Sequence, residues 1–207
     1  MPTNFPTSVD NFTNPTANDS LNLPSHSTQH ANANDAIEAI EGYLLNGGQG
    51  LTLIKKQTVG TAVSSVTVTG AFSATYEGYR IVWTGGVCGG NNELTLQLGG
   101  ITSGYESLLM YGAFGANTGI LGVNGGGAQW GYAGGGSTSG AMLDIEIWNP
   151  FQAKRKWGRA QFQQLINGNN GLTTLYATST ASATSFTIAN GTLTGGTIYV
   201  YGYGMGQ

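Results

Sequence analysis

The chain has 207 residues, of which only 8% are charged, and its formal net charge is −3. Nucleic-acid binding through phosphates needs clustered Lys and Arg, so this charge balance argues against a nucleic-acid partner. The single cysteine, Cys88, excludes an internal disulfide and a multi-cysteine zinc site within one chain. We expect no signal peptide and no membrane insertion, because no apolar stretch approaches the roughly 18 residues of a membrane span.

Residues 1–28 form an extended, polar segment that contains four prolines, and each proline favours extended backbone in the residue before it. The apolar residues here are too sparse to build a core. Two interpretations remain open: a disordered tail, or an arm that becomes ordered on the surface of another protein. The candidate docking residues of such an arm are Phe5, Pro6, Phe12, Pro15, Leu21 and Pro24.

The next segment, residues 29–48, is predicted to be a short helix. Residues 29–41 contain no Pro or Gly and are rich in Ala, and Gly47 and Gly48 end the helix. Apolar residues at 4-3-4 spacing form a coiled-coil-like seam. Ile at both types of seam position, a and d of the heptad, favours assemblies of three or more helices. The predicted trimer seam consists of Ala33, Ile37, Ile40 and Leu44.

Two histidines, His26 and His30, lie around the start of this helix at i, i+4 spacing. On a helix this spacing places both rings on one face, as metal ligands require. The intervening sequence contains no acidic residue, and Pro24 and Ser25 indicate a helix entry. We therefore predict capping and hydrogen bonding rather than a metal site, with the two histidines as the only weak metal candidates.

From residue 49 to residue 207 the apolar pattern has a period of two, which is typical of half-buried antiparallel strands. Glycine and Asn-Pro turns separate the runs, so we predict a mainly β fold with a C-terminal antiparallel β-sandwich or jelly-roll-like domain. The alternating residues that we expect to face the core are Val66, Val68, Tyr79, Ile81, Trp83, Leu94, Leu96, Leu98, Leu143, Ile145, Ile147, Ile198 and Val200.

Within this domain, residues 112–140 combine two triple-glycine runs with a pair of aromatic residues. One interpretation is a strand or hairpin with flexible glycine loops. The alternative is a presented loop in which Trp130 and Tyr132 stack on a ligand, because exposed aromatic side chains are effective binding anchors. These two residues are therefore the candidate receptor-binding residues.

No sequence motif supports catalysis, and we expect neither an enzyme nor a cofactor. Asp144 and Glu146 lie two apart on a predicted strand and share a face, which raises glycoside hydrolysis as an option. The alternative is cross-strand ion pairing with the basic residues that follow the turn at Asn149 and Pro150. Those basic residues are Lys154, Arg155, Lys156 and Arg159.

The N-terminal part of the chain carries a sequence block that reads FPTSVDNFTNP from Phe5 and PSHSTQHANANDAIEAIE from Pro24. This block resembles one found at the front of many tailed-bacteriophage tail-fibre, head-fibre and minor structural proteins. Shorter segments, GYRI from Gly78, IWNPF from Ile147 and GTIYVYGY from Gly196, are also similar to phage structural proteins.

The resemblance implies a homotrimer whose N-terminal arm docks on the capsid, neck or tail of a virion, with a distal β domain and no carried-over catalytic residue. It also implies synthesis in a bacterial cytoplasm and location on the virion. The function we expect is a fibre-like or spike-like appendage that attaches to a host-surface glycan. The alternatives are a decoration or adaptor protein without a receptor, and a glycan-degrading spike.

Overall fold

The computed structural model describes residues 25–45, 50–115, 121–164, 166 and 168–204. The chain divides into two compact units, one of residues 1–50 and 204–207 and the other of Leu51–Tyr203. The candidate docking residues of the arm lie outside the described residues.

The first unit contains one helix in its described part, α1 (His26–Leu45). It begins three residues before the predicted start, because the Ser25 hydroxyl oxygen accepts a hydrogen bond from the Thr28 backbone N–H at 3.2 Å. This is an N-cap, which stabilises the first turn by satisfying an otherwise free backbone donor. Within the described part of the chain, no helix combines the length and the apolar character that crossing a membrane would require.

The second unit is built from antiparallel strands, and its described part has thirteen of them. They are β1 (Leu51–Thr58), β2 (Val63–Val68), β3 (Gly78–Thr84), β4 (Val87–Cys88), β5 (Asn92–Leu98), β6 (Tyr105–Ala113), β7 (Leu121–Gly127), β8 (Trp130–Ser137), β9 (Gly140–Trp148), β10 (Lys156–Gln164), β11 (Asn169–Ala177), β12 (Phe186–Thr194) and β13 (Thr197–Tyr203).

The strands form two sheets that meet at β9. The large sheet has the order β1-β13-β3-β9-β10-β11-β6-β7, and the small sheet has the order β2-β12-β5-β8, with β4 also paired to β12. The N-terminal end of β9 pairs with β8, whereas the rest of β9 lies between β3 and β10. The fold is therefore mainly β and sandwich-like, as the period-two pattern predicted.

Every alternating residue that we expected to face the core is buried, from Val66 at the start of the domain to Val200 near its end. These side chains come from both sheets and belong to a single hydrophobic cluster. The prediction holds because the strands that carry these residues have one face on this core and one toward solvent, so their sequences alternate.

The glycine-rich segment is not a pair of flexible loops. Its two triple-glycine runs lie in β7 and β8. A Cβ on Gly135 would overlap the carbonyl oxygen of Gln163, and one on Gly136 would overlap the Cys88 sulfur. Glycine is therefore required in β8 because other strands approach its backbone closely.

Candidate functional site

The solvent-facing side of the large sheet, which we call the outer face, brings together the polar and aromatic residues that alternate with the core. Strand register defines three neighbouring rows across the sheet. The aromatic row contains Tyr203, Trp148, Trp157 and Tyr176. The charged row contains Tyr201, Arg80, Glu146, Arg159, Thr174 and Leu108. The third row contains Tyr199, Val82, Asp144, Gln161, Leu172 and Met110.

The aromatic row has three nearly parallel rings. Trp148 and Trp157 stack with centroids 4.3 Å apart and planes 6° apart, and Tyr203 stacks on the other side of Trp148 at 6.1 Å and 7°. Gly78 lies between the strands of Trp148 and Tyr203, and a Cβ there would come within 3.0 Å of both rings. Glycine thus leaves room for the stack, at the end of which Trp157 is 50% exposed.

Ion pairs link the two arginines of the charged row to Glu146 of the same row and to Asp144 of the third row. Arg80 donates two hydrogen bonds to Asp144, Nε to Oδ1 at 2.9 Å and an Nη to Oδ2 at 2.7 Å. Arg159 Nε donates to Glu146 Oε2 at 2.5 Å, and the Tyr203 hydroxyl donates to Glu146 Oε1 at 2.5 Å. Tyr203 therefore links the charged row to the aromatic row, and the two acids and two arginines neutralise one another locally.

The protonation states of this cluster follow from its contacts. Partial burial raises the pKa of Glu146, but the hydrogen bonds from Arg159 and Tyr203 and the charges of the two arginines outweigh it, so that the pKa lies below its ordinary value. Burial, followed by the hydrogen bond to Glu146, raises the pKa of Tyr203 to about 12. At neutral pH the cluster presents an ionised carboxylate and a protonated phenol.

An open depression of about 330 Å³ lies over the charged cluster. Its walls combine hydrogen-bond donors, acceptors and two apolar residues, which is the mixture found in sites for small polar ligands. The lining residues include Arg80, Asp144, Glu146, Arg159, Gln161 and Leu172.

An apolar patch adjoins this depression on the outer face. Leu108, Met110 and Leu172 are each more than two-fifths exposed, and Leu172 pairs directly with Met110 across β11 and β6. A cluster of exposed large apolar side chains costs hydration free energy, so such a patch commonly marks an interaction surface.

Trp130 and Tyr132, the predicted receptor-binding residues, are not on a presented loop. Trp130 is fully buried at the start of β8, where its indole N–H donates to the Tyr176 carbonyl at 2.8 Å and its ring meets Tyr105 edge to face. The prediction for Trp130 is wrong because this large ring fills the core. Tyr132 is half-buried at a left-handed φ of 54°, and its ring packs on Phe162.

The cross-strand ion pairing predicted for the acidic pair is confirmed for Glu146 with Arg159, on neighbouring strands. The partner of Asp144 is Arg80, which the sequence analysis did not consider. Lys156 faces the core instead of the acids, and its buried ammonium donates to the carbonyl oxygens of Gln152 and Lys154 at 2.8 and 2.6 Å.

Trp148, Trp157 and Tyr203 were not among the candidate site residues predicted from the sequence. A signal was present: Trp148 and Trp157 flank the turn at Asn149, so a hairpin in register would place them opposite one another, as they are.

The predicted trimer seam lies on α1. Ile37 and Ile40 are 54% and 45% exposed, and Ala33 is exposed beside them. The side chain of Leu44 lies outside the described residues. His26 and His30 are exposed in the first two turns of the helix, and no group of three or more metal-ligating side chains occurs among the described residues.

No family model matches the chain, and no curated protein matches it either.

Proposed function

We propose that the chain is a component of a bacteriophage virion, anchored by its N-terminal arm and trimerised through α1. The β-sandwich unit projects from the particle, and its outer face binds a host-surface glycan. The observation that carries the binding role is the exposed Trp157 ring beside the neutralised Arg–carboxylate cluster.

The virion location rests on the resemblance of residues 5–41 to a block at the front of phage structural proteins. The exposure of Ile37 and Ile40 supports association through α1. Two large β-branched side chains on one side of a helix gain free energy when neighbouring copies cover them, by about 25 cal/mol for each Å² of apolar surface. Ile at both seam types favours three or more helices over two.

The glycan role rests on the chemistry of the outer face. A sugar ring has an apolar C–H face, which packs on a flat aromatic surface such as Trp157, and a rim of hydroxyls. Those hydroxyls can donate to the carboxyl oxygens of Asp144 and Glu146 and accept from Arg159, whose side chain is 62% exposed. Because the four charges cancel, the site suits a neutral oligosaccharide better than a strongly charged one.

The proposal assigns no hydrolytic role to the acidic pair. A general acid for glycoside hydrolysis needs a raised pKa so that it holds a proton near neutrality. The contacts of Glu146 instead lower its pKa.

The second candidate is a decoration or adaptor protein that has no receptor. The exposed patch of Leu108, Met110 and Leu172 favours this role, because it offers no hydrogen-bonding groups and would suit another virion protein. The two candidate surfaces share Leu172, but Trp157 belongs to the aromatic row alone and Leu108 does not line the depression, so substitutions at these two residues separate the candidates.

The deciding experiment measures binding of the purified full-length protein to an array of neutral oligosaccharides and to host cells. We expect Trp157→Ala to weaken binding about 30-fold or more, since losing a central aromatic anchor costs about 2 kcal/mol. Phe114→Ala is the matched control, because Phe114 is also an exposed aromatic, at 69%, but lies outside the three rows.

Unchanged binding in Trp157→Ala, with Leu108→Asp lowering the copy number in particles, would reject the receptor role in favour of the decoration role. Glycan binding that Trp157→Ala abolishes and Phe114→Ala preserves would support attachment.

A further inference from the structure

The seam of α1 extends further toward the N-terminus than its apolar residues indicate. Counting back from Ala33 by three residues reaches His30, and counting back by four more reaches His26. The six positions 26, 30, 33, 37, 40 and 44 thus follow an unbroken 4-3-4-3-4 spacing. Because Ser25 is the N-cap and the helix begins at His26, both histidines lie within the helix and share the spacing of the seam.

The two histidine rings are arranged as a pair of ligands. Their centroids are 4.4 Å apart with planes at 84°, and the two Nε2 atoms face one another at 3.1 Å. Imidazole nitrogens bind zinc at about 2.0–2.1 Å, which places two ligands of one ion about 2.8–3.4 Å apart, from octahedral to tetrahedral angles. The Nε2 separation falls within that interval.

We propose that His26 and His30 bind a divalent transition-metal ion, and that the same pair in neighbouring copies completes the site on the axis of the helix assembly. This rests on the proposed trimerisation through α1. The first turn of α1 contains no acidic side chain, so the ligands are imidazoles. Imidazole suits zinc, nickel, cobalt and copper, whereas magnesium and calcium need oxygen ligands.

Binding changes the proton arrangement of the pair but not its charge. The hydrogen bond between the two Nε2 atoms requires that one ring carries its proton on Nε2 and that the Nε2 of the other ring accepts it. When both Nε2 atoms bind the ion, that ring moves its proton to Nδ1, and both Nδ1–H groups point away from the ion. No proton is released and no other reactant is needed.

The test uses the full-length protein after chelator treatment, titrated with Co²⁺ and followed by visible absorption, while light scattering gives the mass. We expect a trimer with and without chelator, one Co²⁺ per three chains, and loss of binding in His26→Ala and in His30→Ala. Both histidines are exposed, so these variants should keep the wild-type far-UV circular dichroism.

Ile37→Asp serves as the matched control, because it disrupts the seam and leaves both histidines in place. We expect it to give monomers whose affinity for Co²⁺ is at least about tenfold lower, as the copies no longer act together. A trimer that binds no Co²⁺ would overturn the metal site and leave the trimer intact. One Co²⁺ per monomeric wild-type chain would overturn the shared site, and binding that survives both His→Ala variants would place the ion elsewhere.

Discussion

Replacing Gly135 by Ala tests whether the glycines of β8 are required by close backbone approach. The added Cβ would overlap the Gln163 carbonyl oxygen and lie 2.7 Å from its carbonyl carbon. Bringing the carbonyl carbon to an ordinary contact of about 3.5 Å needs a backbone movement of about 0.8 Å, and relieving the closer overlap with the oxygen needs a larger one. The neighbour is β10 backbone, which pairs with β11 at Gln163, so we expect the upper part of the overpacking range, about 3 kcal/mol.

The measurement is thermal unfolding of the full-length protein, monitored by circular dichroism. For a unit of this size, about 3 kcal/mol corresponds to a decrease in Tm of about 6–12 °C. Gly131→Ala is the matched control in the same strand, because a Cβ there would meet only the Ser107 hydroxyl at 3.6 Å. Gly131→Ala should leave the Tm nearly unchanged, and equal Tm values for the two variants would refute the packing argument.

Three further predictions follow from named contacts. Because the pKa of Glu146 is lowered in the folded state, its contribution to stability is present above the ordinary Glu pKa and is lost as the pH falls through the folded value. Between about pH 5 and pH 3, the Tm of Glu146→Gln should therefore fall less than that of wild type. Burial raises the pKa of Tyr105 to about 12, so its contribution to folding stability is complete below about pH 10 and is lost as the pH rises through 12. In an ultraviolet titration its phenol should therefore ionise after most of the ten tyrosines. A single transition near pH 10 for all tyrosines would contradict this. Ile40→Asp should reduce the mass in light scattering to that of one chain of 21.4 kDa, whereas an unchanged mass would exclude the α1 seam.

The core was predictable because it depends on local pattern. The central strands of the sandwich meet the hydrophobic cluster on one side, so residues such as Ile81 and Ile145 alternate with outward-facing neighbours in the sequence itself. The start of α1 was misplaced because the preference of Ser25 for the N-cap outweighed the clearer Ala-rich pattern that begins later.

The candidate site was less predictable, because strand order rather than sequence spacing assembles it. Arg80 and Asp144 are 64 residues apart and meet only because β3 and β9 are neighbours. Tyr203 reaches Glu146 from the last strand, across β3. Exposure was also mispredicted: the glycines that flank Trp130 suggested a loop, whereas they lie in strands and the Trp130 ring is fully buried.

Lys156 shows why the roles of the single basic residues could not be predicted from the basic run that contains them. Lys154 forms an exposed ion pair with Glu77, whereas Lys156 points inward. Burial lowers the pKa of Lys156, and two backbone carbonyls accept its hydrogen bonds. Side chains alternate along β10, so Lys156 faces the core, whereas Trp157 and Arg159 both lie on the outer face. These directions follow from the position of each residue in the strand and not from its charge.

The most direct test of the proposed virion role is the protein content of gradient-purified particles. Particles would be assembled with the full-length chain or with a chain that lacks residues 1–24, which retains α1 and the β-sandwich unit. We predict that immunoblots detect the full-length chain in particles, and that the shortened chain remains folded in the soluble fraction. The shortened chain in particles at the full-length level would contradict the anchoring role, and absence of the full-length chain from particles would contradict the virion role.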